Sequence, residues 1–276
     1  MNFICGNEFK ALCDFSFDEE GIKENKNKNQ IFKEPLVFIK TDYIFNAIEK
    51  IVDKPTRIIT HNSDLCIDEK YIPLLDSKNI IHWYAQNISI NHAKLSPIPI
   101  GIANPKWPHG NKQTLKEVIN KNNKKTNLVY ANFTVSTNPT ERNLCLEAVK
   151  RNGIDFVQGL PFDEYLDDLS RSMFSISPNG NGIDCHKTWE SLYLKNIPIV
   201  TRSINSEQYS DLPILIIDKW SDLDILNLNA DLYKSKIKNF NRSYLNIEKF
   251  IKNEHSAKSF CEEPPPTLIF TKHRHE

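Results

Sequence analysis

The 276 residues suffice for one large domain or two ordinary ones, and their 39% hydrophobic and 10% aromatic content can pack cores, which excludes a disordered chain. Lys+Arg and Asp+Glu stand at 35 each, so no net charge draws in nucleic acid or an anionic membrane, although a local cluster can still hold a phosphate. The six cysteines (Cys5, Cys13, Cys66, Cys145, Cys185, Cys261) are scattered without a CxxC or a Cys/His ladder, which argues against zinc and for free thiols in a reducing compartment.

The first residues lack a charged stretch followed by an apolar one, and no run of about 18 apolar residues occurs, so a cytoplasmic protein without a transmembrane segment is expected. Residues 19–33 are charged and poor in apolar side chains, and read as an exposed loop. Apolar runs at 36–40, 57–61, 80–84 and 98–102 read as strands, with a helical pattern at 43–52. The Lys/Asn-rich segment 111–126 then separates two α/β halves; read otherwise, it is a surface helix and loop within one sheet. Further strands are expected at 127–132, 155–158, 173–177, 197–201 and 214–218, with helices at 140–151, 162–172 and 184–195. Several runs are apolar at successive positions, as in parallel strands covered on both faces, so the expectation is α/β layers with right-handed crossovers. The division predicted is 1–118 and 119–276, with the C-terminal tail free to pack back on the first unit. Pro264-Pro265-Pro266 and the Thr-Leu-Ile-Phe after it look extended.

The densest chemistry lies between Met173 and Glu190. A strand ends at Ser177-Pro178, a loop containing Asn179, Gly180, Asn181 and Gly182 follows, and a helix begins near Asp184. The two glycines are expected to let the backbone turn tightly and approach a ligand, and the helix start offers free N–H groups to a diphosphate. His186 and Lys187 sit in its first turn, where a cation gains nothing from the helix dipole, an arrangement that suits a bound anion. At about 100° per residue, His186 and Glu190 share a face turned toward the loop, while Cys185, Trp189 and Leu192 face the core. An ordinary Gly-turn on a solvated surface is the alternative. Upstream, the strand ending at Asn132 leads into a polar loop and a helix start at Asn138-Pro139-Thr140-Glu141, with Asn138 as N-cap and Glu141 closing a capping box. Arg142 then stands beside the loop and can grip phosphate with two N–H groups, or else form a surface ion pair with Glu141 or Glu147.

Residues 172–203, SMFSISPNGNGIDCHKTWESLYLKNIPIVTRS, resemble the donor-binding segment of exostosin-like glycosyltransferases. In that family a strand ending in Pro leads to a Gly-containing loop, a basic residue, an acidic residue three positions on, and an Ile-Pro-Val run. The matching positions are Pro178, Gly180, Asp184, Lys187, Glu190, Ile197 and Pro198, and 132–142 resembles the family's upstream loop with its basic residue. The resemblance implies a GT-B fold of two facing Rossmann-like domains with mostly parallel sheets, the donor in the second and the acceptor in the first. It also implies inversion without an essential metal or cofactor, a UDP- or GDP-linked sugar as donor, a glycan as acceptor, and Glu190 on the donor's hydroxyls. Lys187 stands where Arg is usual, which weakens two-pronged phosphate binding there.

Inverting transfer needs a general base and a stabilised leaving diphosphate. Asp222-Leu223-Asp224 reads as a capped helix start rather than a metal motif. The base is expected at a strand end in the first half, where Asp64 is the first candidate, partly desolvated, and His61 the second; an Asx-type turn at 62–64 is the alternative. Asn62, Tyr84, Asn87 and Trp107 are candidates for the acceptor side. A non-catalytic nucleotide- or carbohydrate-binding protein is the rival reading, and a sugar-nucleotide dehydrogenase or epimerase is disfavoured because no Gly-x-Gly-x-x-Gly follows the first strand.

Overall fold

The computed structural model describes residues 2–25, 31–51 and 54–252. Its elements are, in chain order, α1 (Gly6–Leu12), β1 (Phe15–Asp18), β2 (Gly21–Glu24), β3 (Leu36–Lys40), α2 (Ile44–Ile51), β4 (Thr56–His61), α3 (Ile72–Leu75), β5 (Ile80–Ala85) and β6 (Leu95–Pro97). After these come α4 (Lys112–Lys121), β7 (Asn127–Asn132), α5 (Pro139–Arg151), β8 (Phe156–Val157), α6 (Phe162–Ser170), β9 (Ser172–Ile176), α7 (His186–Tyr193), β10 (Ile197–Thr201), α8 (Ile204–Gln208), β11 (Leu215–Ile217), α9 (Ala230–Ile237) and α10 (Ile247–Lys252). The molecule is α/β with two mostly parallel sheets.

The first sheet runs β2-β1-β3-β4-β5-β6, parallel except for the β1–β2 hairpin. The second runs β11-β10-β9-β7-β8, entirely parallel. Counted within the second sheet the order is 2-1-3-4-5. The chain leaves β7 for one edge and returns to β9 on the other side, so the sheet reverses direction between them. In open sheets of this kind a crevice forms at such a reversal, outside the carboxyl ends of the strands.

One face of the first sheet packs Val37, Ile39, Ile58 and Trp83 under α2 and α3 with Ile44, Ala47 and Leu75. Its other face, with Phe38, Ile59 and Tyr84, joins Phe9 of α1 in a single buried cluster that also holds Leu166, Trp189, Leu192 and Tyr193 of the second half. A third cluster lies under α5, with Ala131, Phe174 and Ile199 facing Cys145 and Val149. The halves are thus joined through apolar packing as well as by the chain.

Several expectations need correction. Residues 21–24, read as loop, form the exposed edge strand β2, paired with β1 through a tight turn in which Gly21 takes φ +82°. A strand exposed on both faces carries no apolar alternation to announce it. The strand expected at 98–102 is instead β6, three residues earlier: Pro99 has no N–H for the ladder and Gly101 adopts φ +68°. The segment 111–126 contains α4, capped by Asn111 and burying Leu115, Val118 and Ile119, and Lys125 Nζ beyond it donates to Ser170 O, Leu194 O and Asn196 Oδ1. Residues 220–227 make two 3-10 turns, the second capped by Asp224. At the far end, Tyr84 Oη donates to Ile251 O of α10 at 2.7 Å, bringing the last described helix onto the first half. The expectations for Val52, Cys261 and residues 264–270 lie outside the described residues.

Candidate functional site at the sheet reversal

The two loops singled out in the sequence meet at the carboxyl ends of β7 and β9. Asn138 caps α5 by accepting from Glu141 N, and its Nδ2 donates to Gly180 O at 2.8 Å. Arg142 Nε donates to Asn179 O at 2.8 Å and Nη1 to Thr134 O at 2.7 Å. Where a two-pronged grip on phosphate was expected, the guanidinium spends two of its donors tying the β7 loop to the β9 loop. Nor do the glycines serve as expected. Neither Gly180 nor Gly182 has a positive φ, and a Cβ on Gly182 would meet Asn87 Nδ2 at 2.7 Å. Gly182 therefore admits a side chain of the first half rather than a ligand.

Asp184 closes the loop. Its carboxylate accepts from Ile100 N and Cys185 N, each at 2.8 Å, and from the Trp189 indole at 2.8–3.0 Å. Burial pushes its pKa up to about 7 against the pull of those donors. Asp184 N in turn donates to Asn87 Oδ1 at 3.1 Å. Hydroxyl pairs Ser177–Thr188 (2.9 Å) and Ser175–Ser191 (2.8 Å) bring α7 close against β9. Pro178 is buried, with its carbonyl accepting from Cys185 Sγ, while Asn181 is exposed and Asn132 ends β7 opposite Val157.

Helix α7 is buried from Thr188 through Tyr193, so its polar face is not a surface. Glu190, only 4% exposed, accepts from Tyr165 Oη at 2.6 Å, and His186 turns instead to Gly101. The two do not share a ligand-facing side as expected. Burial pushes Glu190 up to about 7, opposed by the Tyr165 hydroxyl and the Lys187 charge. Beside it, Lys187 Nζ has no surface exposed and no hydrogen-bond partner. The amine lies 5.3 Å from the ring centre of Tyr165 and 5.6 Å from that of Tyr130, whose own hydroxyl is also buried and unpartnered. Burial pulls Lys187 down to about 7, with Glu190 resisting and Arg142 assisting. Tyr130 and Tyr165 were not singled out in the sequence, because each reads as an ordinary packed aromatic of a strand or a helix.

A separate small recess, partly open to solvent, lies between α7 and α8, with Ser177, Asn179, Thr188, Thr201, Asn205 and Tyr209 in its wall. It shares the β9 loop with the cluster above but includes none of Lys187, Glu190 or Arg142.

The first-half candidates divide. Tyr84 is a core residue engaged with Ile251, and Asn87 joins the two halves through Asp184, so neither stands ready for an acceptor. Asn62 takes φ +60° and accepts from Asn104 Nδ2, shaping the turn after β4. His61 Nε2 lies 3.1 Å from Pro99 O, so it carries the proton, while Nδ1 accepts from Asn62 N at 2.7 Å. Burial holds His61 down to about 4, a neutral ring with both nitrogens engaged. Asp64 is exposed rather than partly desolvated, and its charge acts on His186. Trp107 is 51% exposed and stacks on His109 at 6.2 Å between centroids.

Among the described residues no group of three or more His, Cys, Asp or Glu is arranged to hold a metal ion, and no helix is long and apolar enough to cross a membrane. No protein-family model matches the chain, and no curated protein emerges as a significant relative.

Proposed function

We propose that the protein is a GT-B-type glycosyltransferase that moves a sugar from a UDP- or GDP-linked donor to a glycan hydroxyl. The observation that carries this reading is Lys187: a buried amine with no hydrogen-bond partner, in the first turn of a helix, at the reversal point of a parallel sheet. An unpaired buried cation is costly, and an anion beside it removes that cost. The N–H groups of the first turn of α7 add to the attraction for a diphosphate. In this reading Lys187 and the helix start take up the charge that develops on the leaving nucleoside diphosphate, so no metal is called for. Glu190, held by Tyr165, meets the donor's hydroxyls, and Arg142 keeps the two loops in place.

The test is calorimetric titration with UDP and GDP near pH 7.5, in buffers of different ionisation enthalpy. Because the free amine titrates near 7 and a phosphate raises its pKa, binding should take up protons, and affinity should fall as pH rises above about 7. Lys187→Met should abolish the proton uptake and weaken binding by about 1.5–3 kcal/mol, the scale of a charged hydrogen bond. Nucleotide binding that is indifferent to Lys187→Met would remove the ground for the assignment.

A further inference from the structure

Sugar transfer to a hydroxyl requires a proton acceptor, and neither candidate from the first half meets that need. His61 has both nitrogens engaged, and Asp64 is in open solvent. His186 differs from both. Its Nδ1 lies 2.8 Å from Gly101 O, and a carbonyl can only accept, so Nδ1 bears the hydrogen and Nε2 is the lone pair. Among the described residues nothing is hydrogen-bonded to Nε2.

The ring is held from both sides. The Gly101 carbonyl is fixed because that residue takes φ +68° and packs against Ile4, where a Cβ would come within 2.1 Å of Ile4 O. The neighbouring Ile102 N donates to Ile4 O at 2.8 Å. On the other side, α7 is fastened to β9 through Thr188 and Ser177. His109 of the 3-10 turn Pro108–Gly110 faces the imidazole, with centroids 6.0 Å apart, and the charge of Asp64 in the loop after β4 and the neutral His61 act on the ring electrostatically. Burial lowers the pKa of His186, proximity to His109 lowers it further, and Asp64 raises it. The exposed indole of Trp107, stacked on His109, adjoins this group.

We infer that His186 is the general base of the transfer, its Nε2 taking the acceptor's hydroxyl proton, with Trp107 offering a flat apolar face to the acceptor's ring. This rests on the glycosyltransferase reading above. In the step, the acceptor O–H bond breaks and its proton passes to Nε2 as the acceptor oxygen bonds the anomeric carbon. The bond from that carbon to the phosphate oxygen breaks, and its electron pair leaves with the nucleoside diphosphate toward Lys187. His186 ends as imidazolium and returns the proton to solvent. The residue next to Lys187 in the chain thus serves the opposite side of the anomeric carbon.

The experiment measures nucleoside diphosphate release from a panel of UDP- and GDP-hexoses, with alkyl glycosides as acceptors, as a function of pH. His186→Asn can still donate to Gly101 O but has no base. Turnover should fall about 10²-fold or more, with the acid limb of the pH profile lost, UDP or GDP affinity within about twofold of wild type, and partial rescue by added imidazole. Asp64→Asn, a surface change, should keep turnover within about tenfold while moving the acid limb to lower pH, since an anion favouring imidazolium is gone. The base assignment is overturned if folded His186→Asn turns over as wild type with its acid limb intact. It is equally overturned if Asp64→Asn abolishes turnover, which would make Asp64 the base. Those outcomes leave Lys187-dependent nucleotide binding standing. Absence of nucleotide binding and of transfer in the wild type would instead bring down the glycosyltransferase reading and this inference with it.

Discussion

Replacing Gly101 by Ala should cost far more than its backbone angle alone. Gly153 provides the comparison, since its φ is +64° against +68° at Gly101, yet a Cβ there meets nothing within 4 Å. The left-handed conformation costs an L-residue about 1–2 kcal/mol, partly offset by about 0.4–1 kcal/mol from the stiffer unfolded chain. Gly153→Ala should therefore lose about 1 kcal/mol or less. At Gly101 the new methyl would lie 2.1 Å from Ile4 O and 2.5 Å from Ile4 C, both backbone atoms that cannot swing aside. Relieving the overlap costs about 1–3 kcal/mol, and losing the Ile102 N–Ile4 O bond adds about 1 kcal/mol. Gly101→Ala should lose about 3–5 kcal/mol in urea unfolding, with an unchanged m-value. Displacement of the carbonyl that orients His186 should also lower turnover in whatever fraction stays folded. Equal losses for the two substitutions would refute the claim that contact with Ile4, rather than φ, makes Gly101 irreplaceable.

Stability of the free protein should pass through a minimum near pH 7. Burial raises Asp184 and Glu190 from 3.8 and 4.5 to about 7, so the stability they contribute at low pH is lost as pH rises from about 4 to 7. Burial lowers Lys187 from 10.5 to about 7, so its contribution is lost as pH falls over that interval. Urea midpoints across pH 4–10 that peak near 7 would contradict these environments. Asp184→Asn should cost about 1–3 kcal/mol, because an amide must turn an N–H toward Ile100 N, Cys185 N or the Trp189 indole. An unchanged urea midpoint in that variant would show that the carboxylate is not needed to satisfy those donors.

The parallel core strands were legible because β3, β4, β9 and β10 are short apolar runs bounded by polar residues. The Asn138 cap was equally plain, since the Asn-Pro-x-Glu order signals a helix start by itself. What escaped was set by partners distant in the chain. Helix α1 has seven residues and no side-chain cap, and is held by packing on β3 and β4. Glu190 falls on the polar side of a helical wheel, yet α6 covers that side and supplies Tyr165. Arg142 was read as a phosphate ligand because backbone carbonyls, the acceptors that claim it, leave no mark in a sequence. Gly182 was read as making room for a ligand, whereas in the fold it makes room for Asn87, a residue of the other half. At 61–64 the residue types suit acid-base work, but the bonds from His61 to Pro99 O and from His186 across the halves to Gly101 O leave no mark in the sequence.

The seam between the halves limits how far they can move apart. Across it run Ile4 N to Tyr193 Oη, Ile88 N to Asn205 Oδ1, Asn205 Nδ2 to Gln86 O, Ile100 N to Asp184, Asp184 N to Asn87 and His186 to Gly101. Swinging the halves apart as rigid bodies would sever these bonds, at about 1 kcal/mol each, and expose the apolar cluster between them. Since each 1.4 kcal/mol is a factor of ten, a splayed form is held to about one molecule in ten thousand or fewer. In the proposed glycosyltransferase, exchange with solvent would therefore fall to shorter movements, those of the side chains and loop tips around Asn181 and Trp107, and a turnover limited by product release would be governed there rather than by a hinge.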